Sequence, residues 1–155
     1  MYSNSLICNI LKYINNNINN KITIEDIEKE FHYNRYYIMK LFKKELKITI
    51  IDYINKIRIY NSITYMRQNN QNLLNIAYKN GFYSIEYYSE IFKKIIGIKA
   101  QIVKKHFKGK KINYEDLRIL NKKITELYTL KEDIIKYLSN EQKIITTPKV
   151  LSIFK

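Results

Sequence analysis

An all-α fold containing an internal repeat is predicted for this chain, and three observations predict it. The stretch Asn80 to Ile98, NGFYSIEYYSEIFKKIIGI, is matched without a gap by EFHYNRYYIMKLFKKELKI about 50 residues upstream, a period typical of repeated supersecondary units. Tyr33 pairs with Tyr83, Asn34 with Ser84, Tyr37 with Tyr87, Phe42 with Phe92 and Ile48 with Ile98. Within each copy apolar residues recur at the spacing of one helix face: Tyr37, Ile38, Leu41 and Phe42 in one, Tyr87, Tyr88, Ile91, Phe92 and Ile95 in the other. Each copy also follows a short apolar-periodic segment, Ile24 to Phe31 or Leu73 to Asn80. The unit that repeats is thus a pair of helices joined by a tight turn.

The elements can be justified in order. Leu6, Ile7, Ile10, Leu11, Ile14 and Ile18 predict an amphipathic first helix, which the Asn-rich run 15–20 frays and turns. Thr23 with Asp26 reads as a capping box using the shorter acid, ahead of inward-facing Ile24, Ile27 and Phe31. His32 falls in the tight turn, where glycine is more comfortable. Asn34 caps the next helix, which runs to about Leu46. Thr49 with Asp52 repeats the capping device and opens a long helix bearing Ile50, Tyr53, Ile54, Ile57, Ile63 and Met66 on one side. The polar run 68–72 ends it. Leu73 to Asn80, a sharp turn at Gly81 and a helix over Ser84 to Ile96 make the second pair. Gly97 stops that helix, and a short one from about Ala100 to Phe107 closes the domain. These pairs read as two helix-turn-helix subdomains joined by a long linker helix, a homeodomain-like arrangement in duplicate.

Gly109, Lys110 and Lys111 read as a linker. Asn113 with Glu115 and Asp116 opens a polar helix bearing Leu117, Leu120, Ile124 and Leu127. Thr129 with Glu132 reads as another capping box, ahead of Ile134, Ile135 and Leu138, and Lys143 to Phe154 is β-rich. The predicted domains are therefore 1–108, with helix-turn-helix motifs at about 24–46 and 73–96, and a C-terminal helical and β extension over 109–155. That extension is expected to hold two short helices and a strand. It either packs back on the main domain or begins an effector domain that the chain does not complete.

Composition limits the function. The 155 residues include 28 Lys and Arg against 14 Asp and Glu, a net charge of +14 and a pI near 9.7, which favours a polyanionic partner: nucleic acid first, an anionic membrane surface second. Abundant Lys, Asn, Ile and Tyr also follow from an A/T-rich genome, so the placement of charge on one helix face carries more weight than its sum. The single cysteine, Cys8, lies among Leu6, Ile7, Ile10 and Leu11 and reads as a core residue. No signal-peptide pattern or long uncharged apolar run occurs, so the cytoplasm is the expected compartment and a membrane is not an expected partner. His32 and His106 stand far apart, no metal site is implied, and no glycine-rich loop, Ser/His/Asp set or paired carboxylates recommend an enzyme or a cofactor.

Burying Ile38, Leu41 and Phe42 points Arg35, Tyr36, Met39, Lys40 and Lys43 outward together, with the cap Asn34 at one end and Lys44 at the other. The second helix of such a pair is the one that enters a DNA major groove. Lys40 suits guanine O6 and N7, Tyr36 and Met39 suit sugars and thymine methyls, and Lys43 and Lys44 suit phosphates. The second copy presents Ile85, Glu86, Ser89, Glu90 and Lys93. Its two carboxylates repel phosphates unless each accepts from a cytosine amino group. The second helix is expected to be the weaker reader, clamping the backbone through Ser84, Lys93 and Lys94. Helix amino ends near Thr23 and Asn72 are further candidates for phosphate contacts.

The span from about Ser5 to Phe107 resembles the DNA-binding domain of the AraC/XylS family of bacterial transcription regulators. The segments that carry the resemblance are YINNNINNKITIEDIEKEF, YIMKLFKKELKITIIDYINKIRI and IAYKNGFYSIEYYSEIFKKIIGI. Gly-Phe, then a cap, then aromatic-x-x-x-Phe-Lys-Lys is its most specific signature. The resemblance implies two helix-turn-helix units joined by a long helix, base-reading positions at Tyr36, Met39 and Lys40, and activation of promoters through contact with RNA polymerase. Met1 stands just before the DNA-binding part, the arrangement of the MarA- and Rob-like members. The chain departs from the family pattern at Glu28 (usually alanine), His32 (often glycine), Ala100 (usually proline) and Val103-Lys104 (usually Tyr-Arg).

The expected function is thus a sequence-specific DNA-binding transcription regulator. It is expected to act as a monomer on double-stranded promoter DNA, its two helices reading adjacent major-groove segments about 34 Å apart. The alternative is a protein-interaction module derived from a DNA-binding domain, for which the acidic second face and His32 speak.

Overall fold

The computed structural model describes residues 2–141, and among these there are eight α-helices and no strand. In order they are α1 (Tyr2–Asn16), α2 (Ile24–Phe31), α3 (Arg35–Leu46), α4 (Ile50–Gln68), α5 (Leu73–Lys79), α6 (Ile85–Ile96), α7 (Ala100–Phe107) and α8 (Tyr114–Glu141). The described residues condense into two compact units, one drawn from residues 2–54 and 130–141, the other from 55–129.

In the first unit, α1 turns Ile7, Ile10, Leu11 and Ile14 inward, all without exposure, and Cys8 is buried beside them as a core residue. The capping box forms at α2: the Thr23 hydroxyl accepts from the Asp26 amide at 3.1 Å and the Asp26 carboxylate accepts from the Thr23 amide at 3.0 Å. At Thr49 only half of that device is made, with the hydroxyl accepting from the Asp52 amide at 3.2 Å. Helix α3 packs against both α1 and α2, burying Ile38, Leu41 and Phe42, and the Phe42 ring lies 5.9 Å from that of Tyr53. The Tyr53 hydroxyl is buried and donates to Asn15 at 2.7 Å.

The second unit has a core of Ile59, Ile63, Met66, Ile76, Ala77, Phe82, Tyr88, Ile91, Phe92, Ile96, Ile98 and Val103. Tyr88 is wholly buried and donates to Ser62 at 3.0 Å, while Ser62 donates to the Ile59 carbonyl at 2.7 Å. Both buried hydroxyls therefore have partners, as burial requires. Burial pushes the Tyr88 phenol up to about 12. Helix α4 is inaccessible on more than the one side its pattern predicts, since Asn55, Arg58, Ile59 and Ser62 are buried along with the expected isoleucines. Its first five residues belong to one unit and the remainder to the other.

The extension departs from expectation. In place of two short helices, residues 114–141 form one 28-residue helix. Thr129 does not cap a new helix; its hydroxyl donates back to the Thr125 carbonyl at 2.9 Å, a bond that lets threonine sit inside a helix. No Gly or Pro interrupts this run, and the buried residues Leu120, Leu127, Ile134 and Leu138 fall at spacings that keep one apolar stripe continuous. The fold is therefore all-α through Glu141, with one long helix where two short ones were expected and no strand among the described residues. The strand read over Lys143 to Phe154 lies outside the described residues. Nor is α8 a separate piece: Leu120 and Leu127 belong to the core of the second unit, and Ile134 and Leu138 are buried in the first.

Candidate nucleic-acid interface

Helices α3 and α6 are the same element twice. Each has 12 residues, and Arg35 and Ile85, the first residue of each, stand fifty positions apart. Asn34 caps α3 by accepting from the Tyr36 amide at 2.9 Å, and Ser84 caps α6 by accepting from the Tyr87 amide at 3.0 Å. Both helices end in a left-handed residue, Lys47 at φ 61 and Gly97 at φ 87. The turns before them differ by one residue. In the first pair the left-handed position is His32 at φ 60; in the second it is Gly81 at φ 89, followed by Phe82 packed into the core. Relative to the helix that follows, the glycine therefore comes one residue earlier than the histidine.

On α3 the buried stripe leaves Tyr36, Met39, Lys40, Lys43 and Lys44 exposed together, Tyr36 at 75%. A lysine flanked by an aromatic ring and a thioether can donate to base edges while its neighbours contact sugars and methyl groups. Arg35 is placed differently from the other predicted residues. Only a third exposed, it is held by Glu25 and Glu28 of α2, with Nη1–Oε1 2.8 Å to Glu25 and Nη2–Oε1 2.8 Å to Glu28. The Arg35 side chain holds the Glu28 carboxyl below its ordinary value; Glu25 is lowered as well, by its own backbone amide first and by Arg35 next.

On α6, Glu86, Ser89, Glu90, Lys93 and Lys94 are exposed, while Ser84 and Ile85 are half-buried. Lys93 folds back and donates to the Gly97 carbonyl at 2.8 Å, closing the end of its own helix. The amino ends at Thr23 and Asn72 already carry caps, Asn72 accepting from the Asn75 amide at 2.8 Å.

Two features escaped the sequence pattern. Tyr37 and Tyr87, expected on the inner face, are 48% and 41% exposed. Tyr37 stacks on Tyr33 with centroids 5.6 Å apart and planes at 21°, whereas Tyr87 accepts at its hydroxyl from Asn55 at 3.1 Å. Both rings sit at the edge of the helix face, where a period of 3.6 does not separate inside from outside. The ionic set Glu25, Glu28 and Arg35 is the other. Its signal lay in the repeat: with the first helices of the two pairs aligned at 49 residues, Glu28 falls on the buried Ala77 and Glu25 on Leu74, while Arg35 matches Ile85.

Two capped helices, each ending a helix-turn-helix and each with one apolar and one exposed polar face, define a protein of the duplicated helix-turn-helix class. The chain belongs to the helix-turn-helix domain family, whose pattern matches residues 27–105. It is similar to the HTH-type transcriptional activator AarP of Providencia stuartii, 26% identical over 79% of this chain and 88% of the relative. It is also similar to the bifunctional transcriptional activator/DNA repair enzyme AdaA of Bacillus subtilis, at 32% identity over 57% of this chain and 42% of the relative. The chain thus spans most of AarP and less than half of AdaA. Among solved structures, a protein of unknown function from Listeria innocua superimposes with a TM-score of 0.61 at 30% identity, over 63% of this chain and 93% of that one. No helix among the described residues is long and apolar enough to cross a membrane, and no group of three or more His, Cys, Asp or Glu there could hold a metal ion.

Proposed function

We propose that this sequence-specific DNA-binding transcription regulator inserts α3 and α6 into adjacent major-groove segments of one promoter site. The observation that carries the proposal is the repeat itself: two equal, capped helices, each with exposed polar residues opposite its buried stripe, in a family defined by such helices. The protein acts as a regulator and not as an enzyme in this reading, in keeping with its helix-turn-helix family and with the activator AarP. Two reading helices in one chain supply what simple repressors obtain by dimerising, so a monomer on an asymmetric site of about two helical turns suffices. The GFYSIEYYSEIFKK segment supports membership of the AraC/XylS group within the family, and the similarity to the activator AarP supports activation; contact with RNA polymerase in the cytoplasm is the route that the AraC/XylS resemblance implies.

In this reading Tyr36, Met39 and Lys40 face bases, with Asn34, Lys43 and Lys44 at the sugar-phosphate chain. Ser84, Ile85, Glu86, Ser89, Glu90, Lys93 and Lys94 form the second face, Glu86 and Glu90 accepting from cytosine amino groups. Selection of bound sites from a random double-stranded DNA pool tests it. A bipartite consensus with half-sites one helical turn apart is expected, and recovery of unselected sequence would overturn the assignment. On the selected site, Lys40→Ala is expected to cost about 1–3 kcal/mol and to relax preference at one base pair, as gel shifts on single-position variants of the site would show.

A further inference from the structure

Arg35 is the first residue of α3 and the only arginine on that helix, yet its donors are already engaged inside the first unit. The Glu28 carboxylate takes three of them: one oxygen accepts from the Arg35 backbone amide at 2.8 Å, and the other lies 3.0 Å from Nε and 2.8 Å from Nη2. Glu25, one turn earlier on α2, accepts from Nη1 at 2.8 Å. All three guanidinium nitrogens therefore point at carboxylates. This forked, charge-assisted geometry fixes orientation as well as attraction.

The second unit shows what the position does when no charge is present. Its matching residues are Leu74, Ala77 and Ile85, and there Ile85 packs against a core that includes Ala77. The start of the recognition helix is thus anchored in both units, by apolar packing on the core in one and by ion pairs to the preceding helix in the other. Resting on the reading of α3 as DNA-facing, we propose that Glu28 and Glu25 act as positioning residues. They withhold Arg35 from the DNA and use it to set the seating of α3 on α2, leaving base and phosphate contacts to the residues that follow.

The dependence of binding on salt tests this, because each phosphate-neutralising cation adds about 0.9 to the slope of log K against log salt. On the selected site, Lys44→Ala is expected to flatten the slope by about that amount, and Arg35→Met to leave it unchanged while lowering the melting temperature. Glu25→Gln with Glu28→Gln frees the guanidinium and is expected to steepen the slope by about 0.9. Adding Arg35→Met to that pair is expected to restore the original slope. Circular dichroism checks that each variant keeps its helices. If Arg35→Met flattens the slope as Lys44→Ala does, Arg35 is a DNA contact and the inference falls alone. A slope indifferent to Lys44→Ala removes α3 from the DNA, and the underlying reading falls with the inference.

Discussion

Single residues in this protein mark the difference between a charge that is available and one that is spoken for. Exposed Lys40 stands among exposed neighbours on α3, whereas Arg35, five residues away on the same helix, is gripped by two carboxylates. Counting cations along the chain cannot separate the two cases, because the partners of Arg35 come from another helix. Hydroxyls buried in the core raise a second point. Tyr88 is pushed up to about 12 by burial, the Ser62 hydroxyl pulling it partly back. Its folded value lies above that of an exposed phenol, so the stabilisation it provides is complete below about pH 10 and is lost as pH rises from there through about 12. Tyr53 is shifted the same way. Tyr88→Phe is expected to cost about 1 kcal/mol at pH 8, through the lost hydrogen bond to Ser62. It should also unfold less steeply with pH above 10, and urea titrations at pH 8 and pH 11 would show both effects.

At the scale of elements, the repeat allows one copy to serve as a control for the other. Positions Lys47 and Gly97 end equivalent helices in the same left-handed conformation, but only the glycine takes it without a steric penalty. Lys47→Gly is therefore expected to stabilise the protein by about 1 kcal/mol, read as a higher urea midpoint at unchanged m-value. The boundaries of α3, α6 and α7 follow closely from caps, periodicity and glycine, all local signals. The two short helices expected in the extension do not form, because Thr129 with Glu132 has the composition of a cap but sits in the middle of an unbroken apolar stripe. Whether a threonine oxygen accepts from an amide or its hydroxyl donates to a carbonyl is decided by packing on α8, which the local pattern does not contain.

Across the whole molecule, the compact units do not follow chain order, since the last part of α8 completes the unit that α1 begins. Ile134 and Leu138 are nearly or wholly inaccessible there. Leu138→Ala is expected to destabilise by about 2–5 kcal/mol, the range for emptying a buried leucine site, and thermal unfolding would measure it. An effect below 0.5 kcal/mol would place the end of α8 outside the core. The sequence alone determined the helical class, the duplication, the caps at Thr23, Asn34 and Ser84 and the exposure of Tyr36, Met39, Lys40 and Lys43, because these depend on residues within a turn or two of one another. Only the tertiary structure decided that Tyr37 and Tyr87 stand exposed, that Arg35 is shared with Glu25 and Glu28, and that α8 runs unbroken through two cores. Each of those outcomes is settled by partners outside the helix concerned or by packing along its whole length, and spacing within a single turn or two does not encode them.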